Sequence, residues 1–156
     1  MTNQIAPCLW FDNRAEEAAR FYTSIFKNSS IEAISYYGKE GFEFHGQPEG
    51  TVLTVAFRIN GQLFTALNGT PIFKFTEAIS FQVFCDTQEE IDHYWDSLTA
   101  GGTESQCGWL KDKFGVSWQI VPSILPKLMT NPLKAGKVTA AFMQMKKFEI
   151  AKLLEA

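Results

Sequence analysis

The side chains that most often carry covalent or metal chemistry are scarce in this chain. It has two histidines, His45 and His93, and three cysteines, Cys8, Cys85 and Cys107. A nucleophilic thiol needs a neighbouring base or a lowered pKa, and no histidine has a predicted position beside Cys107. Cys8 and Cys85 fall on strand positions predicted to face a helix, where cysteine acts as a small buried hydrophobe. The sequence therefore does not predict a catalytic cysteine.

An acidic candidate for proton transfer lies in the predicted turn Lys111-Asp112-Lys113. Aspartate in such a turn commonly accepts hydrogen bonds from the backbone that follows it. We therefore expect Asp112 to stabilise the turn rather than to exchange protons with a substrate.

The composition excludes several classes of protein. Hydrophobic residues make up 46% and charged residues 20% of the 156 positions, which is typical of a soluble globular protein. The net charge of −3 and the absence of a basic face argue against a nucleic-acid partner. No apolar stretch is long enough to span a bilayer, and the polar start Met1-Thr2-Asn3-Gln4 is unlike a signal peptide. We expect a cytoplasmic protein with reduced cysteines, outside the membrane.

The elements that must position any site occur twice along the chain. Residues 5–12 resemble residues 79–86, and the same spacing of 74 residues relates four matched pairs. These pairs are Ile5 and Ile79, Asp12 and Asp86, Asn13 and Thr87, and Glu16 and Glu90. A repeat of this size predicts paired supersecondary modules, with a binding cavity where they join.

The first copy predicts a βαβββ module. Asn13 and Glu16 form a candidate capping box at the start of a helix that runs to about Phe26. Asn60-Gly61 is a strong signal for a two-residue hairpin turn, because both residues tolerate positive φ. The predicted strands are 5–11, 31–37, 51–59 and 62–68, and the glycine-rich stretch 38–50 is predicted to be a loop.

The second copy predicts a similar module followed by a helical tail. Its predicted elements are a strand at 78–85, a helix from the capping box Thr87–Glu90 to Gly101-Gly102, and strands at 106–110 and 116–121. The tail is predicted to be helical at 123–129 and at about 136–154. An apolar stripe in the tail, formed by Val138, Ala141, Phe142 and Met145, could cover the sheet edge or a partner subunit. We favour a homodimer contact.

Two tandem modules of this kind resemble the vicinal oxygen chelate superfamily, which includes glyoxalase I, extradiol dioxygenases and bleomycin-resistance proteins. Within it, the chain is similar to the PhnB-like branch, often labelled 3-demethylubiquinone-9 3-methyltransferase. The matching stretches are 7–12, 15–18, 21–22, 66–69, 73–75, 78–81 and 104–122.

The resemblance implies an α+β fold. Two tandem βαβββ modules would form a curved, cup-like mixed sheet with helices on the outside and C-terminal helices added. We expect one domain over residues 1–156, with module one at about 4–69, module two at about 77–122 and the helical tail at 123–156.

Metal-dependent members of the superfamily hold their ion with four ligands inside the cup. The resemblance places these four positions at or near Ile5, Asn68, Ala78 and Gln119. Aliphatic side chains cannot bind a cation, and neutral amides are weak ligands for zinc, iron or nickel. His93 is predicted to lie in solvent, so His45 in the loop 38–50 is the remaining histidine that could bind a metal. The sequence predicts neither a metal nor another cofactor.

The methyltransferase label can be tested on the same residues. An S-adenosylmethionine site of the usual kind needs a glycine-rich turn between a strand and a helix. Gly101-Gly102 instead follows a predicted helix and precedes a strand. The sequence therefore does not support this activity.

The alternation of side chains along a strand predicts which residues line the cup. Ile79, Phe81, Val83, Val116, Trp118 and Ile120 should face the helix, and Trp10 and Trp95 should join Trp118 in the core. The predicted ligand-binding residues are Asn68, Ser80, Gln82, Phe84, Cys107, Trp109, Ser117 and Gln119, with Phe64 as a further stacking candidate. Apolar walls with a few convergent polar groups are typical of small-molecule sites.

These observations favour a metal-independent protein that binds or sequesters a small uncharged or aromatic compound, as a homodimer. Three alternatives stay open. One is a glyoxalase-like or dioxygenase-like metalloenzyme with non-standard ligands that include His45. The others are a methyltransferase and an interaction module that uses the C-terminal helices. Fold analogy does not identify a substrate.

Overall fold

A computed structural model describes residues 3–156, so the first two residues of the polar start lie outside the described residues. The chain divides into two compact units, the first ending at Lys74 and the second beginning at Phe75. Each unit holds a four-stranded mixed sheet and the helices around it, which confirms the predicted α+β class and the two βαβββ modules. None of the helices within residues 3–156 has the length and apolarity needed to cross a membrane.

The first unit has the strand order β1-β4-β3-β2, with β1 parallel to β4 and the other neighbours antiparallel. Its elements are β1 (Cys8–Phe11), α1 (Ala15–Ile25), β2 (Ser30–Tyr36), α2 (Phe42–His45), β3 (Val52–Ile59) and β4 (Gln62–Asn68). Asn60 and Gly61 have φ values of 47° and 78°, which confirms the predicted hairpin turn between β3 and β4.

The core of the first unit forms where α1 packs on the sheet. The ring of Tyr22 stacks on Phe57, and Phe57 stacks on Phe64, with centroids 6.1 Å and 5.4 Å apart. Phe64 is therefore a buried core residue on the helix side of the sheet. The prediction that it stacks on a ligand is wrong.

The first strand has the opposite orientation to the one predicted for its cysteine and tryptophan. Leu9 and Phe11 are buried, whereas Cys8 is exposed and Trp10 is half-buried. Because side chains alternate along a strand, burial of Leu9 and Phe11 turns the other two away from α1. Trp10 instead donates a hydrogen bond from Nε1 to the carbonyl of Thr70 at 2.8 Å.

The second unit repeats the same connectivity, with the strand order β5-β8-β7-β6 and β5 parallel to β8. Its elements are β5 (Phe81–Cys85), α3 (Gln88–Thr99), β6 (Thr103–Glu104), β7 (Trp109–Lys111), β8 (Ser117–Pro122), α4 (Leu125–Met129), α5 (Ala135–Phe142) and α6 (Ile150–Glu155). Trp95 and Trp118 are buried, as predicted.

Two strands of the second unit are shorter than predicted. The first begins at Phe81 rather than at residue 78, and Ile79 is 75% exposed, so Ile79 does not pack on α3 as predicted. The third begins at Trp109 rather than at residue 106, because Cys107 and Gly108 have positive φ values of 56° and 79° and form a turn.

The two repeated helices begin differently. Thr87 and Glu90 form the predicted capping box at the start of α3. The capping box predicted for Asn13 and Glu16 is absent from α1, because Asn13 adopts a φ of 55° rather than the extended conformation of an N-cap. Glu16 instead pairs with Arg20 at 2.7 Å.

The C-terminal tail contains the helix predicted at 123–129, as α4, whereas two short helices, α5 and α6, replace the long one predicted at about 136–154. Val138 and Met145 of its apolar stripe are buried within the chain. The carbonyls of Met145 and Lys146 accept hydrogen bonds from the amides of Cys107 and Gly108 at 2.8 Å and 2.7 Å. The tail therefore covers the turn that precedes β7. Because Val138 and Met145 are buried within the chain, they are not available for the homodimer contact predicted for this stripe, and a homodimer through another surface remains a prediction.

Candidate functional site

The second sheet brings polar and aromatic side chains together on the face opposite α3, which we call the open face. Paired residues on neighbouring strands share a face, and the register pairs Trp109 and Gln82 with Gln119 and pairs Lys111 with Ser117. Most predicted site residues therefore lie on this face. The open face consists of Ser80, Gln82, Phe84, Trp109, Lys111, Ser117 and Gln119.

Hydrogen bonds fix the two glutamines of the open face. The Gln119 amide donates from Nε2 to Ser80 Oγ at 2.8 Å, and it accepts at Oε1 from Gln82 Nε2 at 3.4 Å. Phe84 lies further along β5 and is 54% exposed. An oriented row of amides beside an exposed ring can bind the polar edge and the flat face of a small molecule.

A concave pocket of about 430 Å³ lies at the β6–β7–β8 end of this sheet. Its lining residues are Glu77, Thr103, Glu104, Ser105, Gln106, Trp109, Leu110, Lys111 and Ser117. The volume is in the range of small-molecule sites. Trp109 and Ser117 are the predicted site residues that it includes.

Lys111 and Glu77 are pocket residues that the sequence reasoning missed. Strand alternation could have identified Lys111, because it is two residues beyond Trp109 and therefore on the same face. Glu77 lies in an irregular segment before β5, where no periodicity predicts orientation. The two side chains form an ion pair with Lys111 Nζ and Glu77 Oε1 2.5 Å apart. The hydrogen bond from Lys111 lowers the pKa of Glu77.

Ser117 has an unusual environment in the pocket wall. The residue is 2% exposed, and its Oγ has no hydrogen-bond partner within the described part of the chain. Buried hydroxyls nearly always have such a partner, and leaving one without costs about 1–3 kcal/mol. The oxygen has almost no accessible surface, so a ligand in the pocket would partner it only after the side chain rotated toward the pocket.

Asp112 has the structural role predicted for it. Its Oδ1 accepts hydrogen bonds from the amides of Phe114 at 2.8 Å and Val116 at 3.1 Å. Its Oδ2 accepts one from Trp118 Nε1 at 2.9 Å. The buried carboxylate therefore holds the turn between β7 and β8 and is not among the pocket residues.

Asn68 lies in the first unit and its amide is used within that unit. Its Oδ1 accepts a hydrogen bond from the Ala15 amide at 2.8 Å, and its Nδ2 donates to the Val52 carbonyl at 3.0 Å. The residue is 4% exposed. Asn68 therefore connects the start of α1 to β3, and we leave it out of the proposed ligand site.

Cys107 lies outside the pocket lining, under the tail. It is half-buried, with Sγ 3.7 Å from the Phe142 carbonyl oxygen and 3.9 Å from Met143 Sδ.

Desolvation is the main cause that raises the pKa of Cys85 to about 12, so this buried thiol stays protonated near neutral pH. The carboxylates of Glu90 and Asp86 raise the pKa of Cys85 further, so they do not favour its thiolate.

The residues at the superfamily's metal positions do not fit a divalent ion. Within residues 3–156, no three side chains of His, Cys, Asp or Glu lie close enough to share one. Ile5 is 90% exposed and Ala78 is aliphatic, while Gln119 and Asn68 offer neutral amides that already make hydrogen bonds. We therefore derive no reaction step through a metal.

His45 is the last residue of α2, a single helical turn within the stretch 38–50 that was predicted to be a loop, and its ring is held by neighbouring residues. Its Nδ1 accepts a hydrogen bond from the Gln47 amide at 2.9 Å, and its Nε2 lies 3.1 Å from the Glu40 carbonyl oxygen. Its ring packs on Tyr37, with centroids 4.5 Å apart. Both ring nitrogens thus have partners inside the first unit.

Comparison with known proteins identifies relatives of the chain. Residues 3–121 match the family described as 3-demethylubiquinone-9 3-methyltransferase. The PhnB protein of Bacillus cereus, described by the same enzyme name, is 39% identical, and the match covers 77% of this chain and 99% of that one with a TM-score of 0.68. A comparison with curated proteins finds no match.

Two more distant structures share the fold alone. A protein from Pseudomonas aeruginosa is 19% identical over 78% of this chain and 98% of its own, with a TM-score of 0.63. The fosfomycin resistance protein FosX of Listeria monocytogenes is also 19% identical, over 81% of this chain and 96% of its own, with a TM-score of 0.52. The family match ends at residue 121, so α4, α5 and α6 lie beyond it.

Proposed function

We propose that this chain binds a small organic molecule without a metal ion. The chain belongs to the family described as 3-demethylubiquinone-9 3-methyltransferase, within the vicinal oxygen chelate superfamily. The observation that carries the proposal is the open face, where oriented amides, the exposed ring of Phe84 and the half-buried ring of Trp109 adjoin a pocket of about 430 Å³. An uncharged or aromatic compound suits these groups.

The chemistry of the open face supports binding more strongly than catalysis. Ser80, Gln82 and Gln119 are neutral hydrogen-bonding groups, and none of them titrates near neutral pH. The acid in the adjacent turn, Asp112, is fully used by backbone and indole donors. Binding, carriage or sequestration of a compound requires nothing more than these groups supply.

The family's enzyme name receives no support from the local geometry. A site for S-adenosylmethionine of the usual kind needs glycines between a strand and the helix that follows it. The link from β1 to α1 is Asp12-Asn13-Arg14, and the link from β5 to α3 is Asp86-Thr87. The link from β2 to α2 does contain Gly38 and Gly41, but β2 is antiparallel to its neighbour β3 and α2 is a single turn of four residues. Direct calorimetry with S-adenosylmethionine tests this point, and we expect no binding.

The binding proposal is tested by thermal unfolding with a panel of uncharged aromatic compounds. A compound at about 100 times its Kd stabilises the folded state by about 2.7 kcal/mol. That corresponds to a rise in Tm of roughly 5–10 °C for a chain of this size. We expect the rise to persist in EDTA and to fall in Gln119→Leu, whereas the control Gln144→Leu, on the exposed tail, should keep it.

Two outcomes would contradict the proposal. If no compound changes the Tm of the unmodified protein, the open face is not a binding surface for this class. If EDTA abolishes the rise and a stoichiometric metal is found, the protein is a metalloprotein with ligands other than those considered.

We further propose that the protein is a cytoplasmic homodimer. Large apolar side chains that are well exposed include Ile72, Phe73 and Leu133, at 68%, 61% and 87%. Ile72 and Phe73 are neighbours in the first unit, and an exposed apolar pair of this kind suits a subunit contact. Sedimentation equilibrium at micromolar concentration tests the assembly, and a strictly monomeric protein would contradict it.

A further inference from the structure

Three groups in the pocket of the second unit have no explanation in the proposed binding of an uncharged compound. Lys111 contributes an ammonium group, Glu77 covers that group with its carboxylate, and Ser117 has a buried hydroxyl without a hydrogen-bond partner among residues 3–156. The register places Lys111 directly beside Ser117 on neighbouring strands. The cation and the hydroxyl therefore lie side by side in the pocket wall.

We propose that this pocket binds the carboxylate of a small planar aromatic acid, with Lys111 exchanging Glu77 for the ligand, Ser117 rotating its hydroxyl to donate a hydrogen bond and Trp109 flanking the ring. This inference rests on the proposed binding function and specifies its ligand class. The bound acid would be held at its charged end by Lys111 and Ser117 and at its ring by Trp109.

Glu77 shows that the ammonium group of Lys111 accepts a carboxylate in this place. The two atoms of the ion pair are 2.5 Å apart, yet Glu77 is 62% exposed and lies in the irregular stretch between β4 and β5. Ion pairs exposed to this degree contribute little to stability. A ligand carboxylate can therefore replace Glu77 at small cost, and the released side chain regains water.

The remaining acid of the pocket does not compete for Lys111. Glu104 accepts a hydrogen bond at Oε1 from Trp95 Nε1 at 3.1 Å, and its Oε2 lies 3.6 Å from Lys146 Nζ. Its charge is therefore balanced on the side of the helix and the tail. Lys111 is the lysine among the pocket residues, so an anionic group of the ligand is directed to it.

The position of Trp109 selects for an aromatic body. Trp109 and Lys111 are two residues apart on β7 and point to the same face, roughly 7 Å apart along the strand. A ligand whose carboxylate pairs with Lys111 therefore has its body beside Trp109. Ring stacking on tryptophan adds affinity beyond the buried area.

The test is isothermal titration calorimetry with three probes: 2-naphthoate, its neutral analogue 2-naphthamide, and cyclohexanecarboxylate. We expect 2-naphthoate to bind about tenfold more tightly than 2-naphthamide, the order expected for a hydrogen bond to a charged group. Cyclohexanecarboxylate should bind more weakly than 2-naphthoate, because it cannot stack on Trp109.

Variants assign the effect to named side chains. Lys111→Met should remove the preference for the acid over the amide, while Lys113→Met, an exposed lysine outside the pocket lining, should keep it. Glu77→Gln should tighten 2-naphthoate binding several-fold and leave 2-naphthamide unchanged, because it removes the internal competitor without altering the wall. Circular dichroism confirms that each variant is folded.

The outcomes separate this inference from the proposed function. Equal affinities for the acid and the amide, or an unchanged preference in Lys111→Met, would overturn the inference and leave small-molecule binding intact. If 2-naphthoate fails to bind at millimolar concentration, the inference is overturned as well. Failure of the uncharged panel together with all three probes would overturn both.

Discussion

The two units share one strand order, but the starts of their helices are stabilised over very different distances along the chain. In the second unit, Thr87 and Glu90 cap α3 from within its own first turn. In the first unit, the Ala15 amide at the start of α1 is bound by Asn68, 53 residues further along. A repeat in sequence therefore preserves the topology without preserving the interactions that stabilise it.

The hairpin turns of the two units are both stabilised locally, but by different groups. The turn between β3 and β4 depends on backbone conformation at Asn60 and Gly61. The turn between β7 and β8 depends on the buried carboxylate of Asp112, which binds two amides and an indole. Long-range polar contacts thus support the helix of the first unit, and a local polar cluster supports the hairpin of the second.

Substitution of Asp112 in the turn between β7 and β8 is expected to have the largest effect on stability. Asp112→Ala leaves three buried donors without a charged acceptor, and we expect a loss of about 4 kcal/mol in the free energy of unfolding. Asp112→Asn keeps one acceptor oxygen and should cost about half as much. Urea titration monitored by tryptophan fluorescence measures both.

The corresponding change in the first unit should be nearly silent. Arg58→Met removes the exposed hydrogen bond from Arg58 to the Gly61 carbonyl and should change stability by less than about 0.5 kcal/mol. Equal losses for Asp112→Ala and Arg58→Met would contradict the contrast between the turns.

The next largest effect is expected at the start of α1. Asn68→Ala leaves the Ala15 amide and the Val52 carbonyl without their buried partners, and we expect a loss of about 3 kcal/mol. Asn68→Asp retains an acceptor at a helix N-terminus and should lose less. A variant Asn68→Ala as stable as the unmodified protein would show that this contact has no part in stability.

The local cap of α3 should contribute less. Thr87→Ala removes the capping box and is expected to cost about 1 kcal/mol. Asn13→Gly, at the matching position of the repeat, should change stability by only a few tenths of a kcal/mol, because Asn13 caps nothing and glycine tolerates its positive φ. If Asn13→Gly costs as much as Thr87→Ala, the two helix starts are not different.

The smallest effect is expected where the tail joins α3. Lys147 lies 2.8 Å from Asp92 and 3.8 Å from Asp96, and both partners are partly exposed. Lys147→Met should therefore cost about 0.5 kcal/mol at low salt and less at high salt.

The dependence of this pair on pH follows from its pKa shifts. The hydrogen bond from Lys147 lowers the pKa of Asp92, with a further contribution from Gln88, and the bond to Asp92 raises the pKa of Lys147. The stabilisation is complete between the ordinary pKa values of the two groups, from about pH 5 to 9. It is lost as the pH falls through the lowered pKa of Asp92 or rises through the raised pKa of Lys147. The free energy of unfolding of Lys147→Met and of the unmodified protein should differ most within this pH range. A difference that grew outside the range would contradict the pairing.

The fold was largely predictable because its signals are local or periodic. The alternation along β3, the Asn60-Gly61 turn and the Thr87 capping box each involve neighbouring residues, and all three are confirmed. Capping of α1 was not predictable in this way. The spacing of Asn13 and Glu16 imitates a capping box, and the contact that replaces it joins residues distant in sequence.

The candidate site was less predictable, because part of it is formed by residues outside the regular strands. Alternation correctly placed Ser117 and Gln119 on the face away from the buried Trp118. Alternation gave no information about Glu77, whose segment has no regular structure. It also gave none about Asn68, whose side chain turns inward at the end of its strand. Pocket shape depends on such irregular segments, and sequence periodicity does not describe them.

The contact between Asn68 and Ala15 has a consequence for the order in which the chain folds. Helix α3 can form its first turn with groups only three residues apart, so it is available to an early folding nucleus. The hydrogen bond from the Ala15 amide to Asn68 forms only after β4 has paired with β1. That pairing carries the entropic cost of closing a long loop. Hydrogen exchange of the Ala15 amide should therefore report the completion of the first sheet, whereas the Glu90 amide should report only the fraying of one helix.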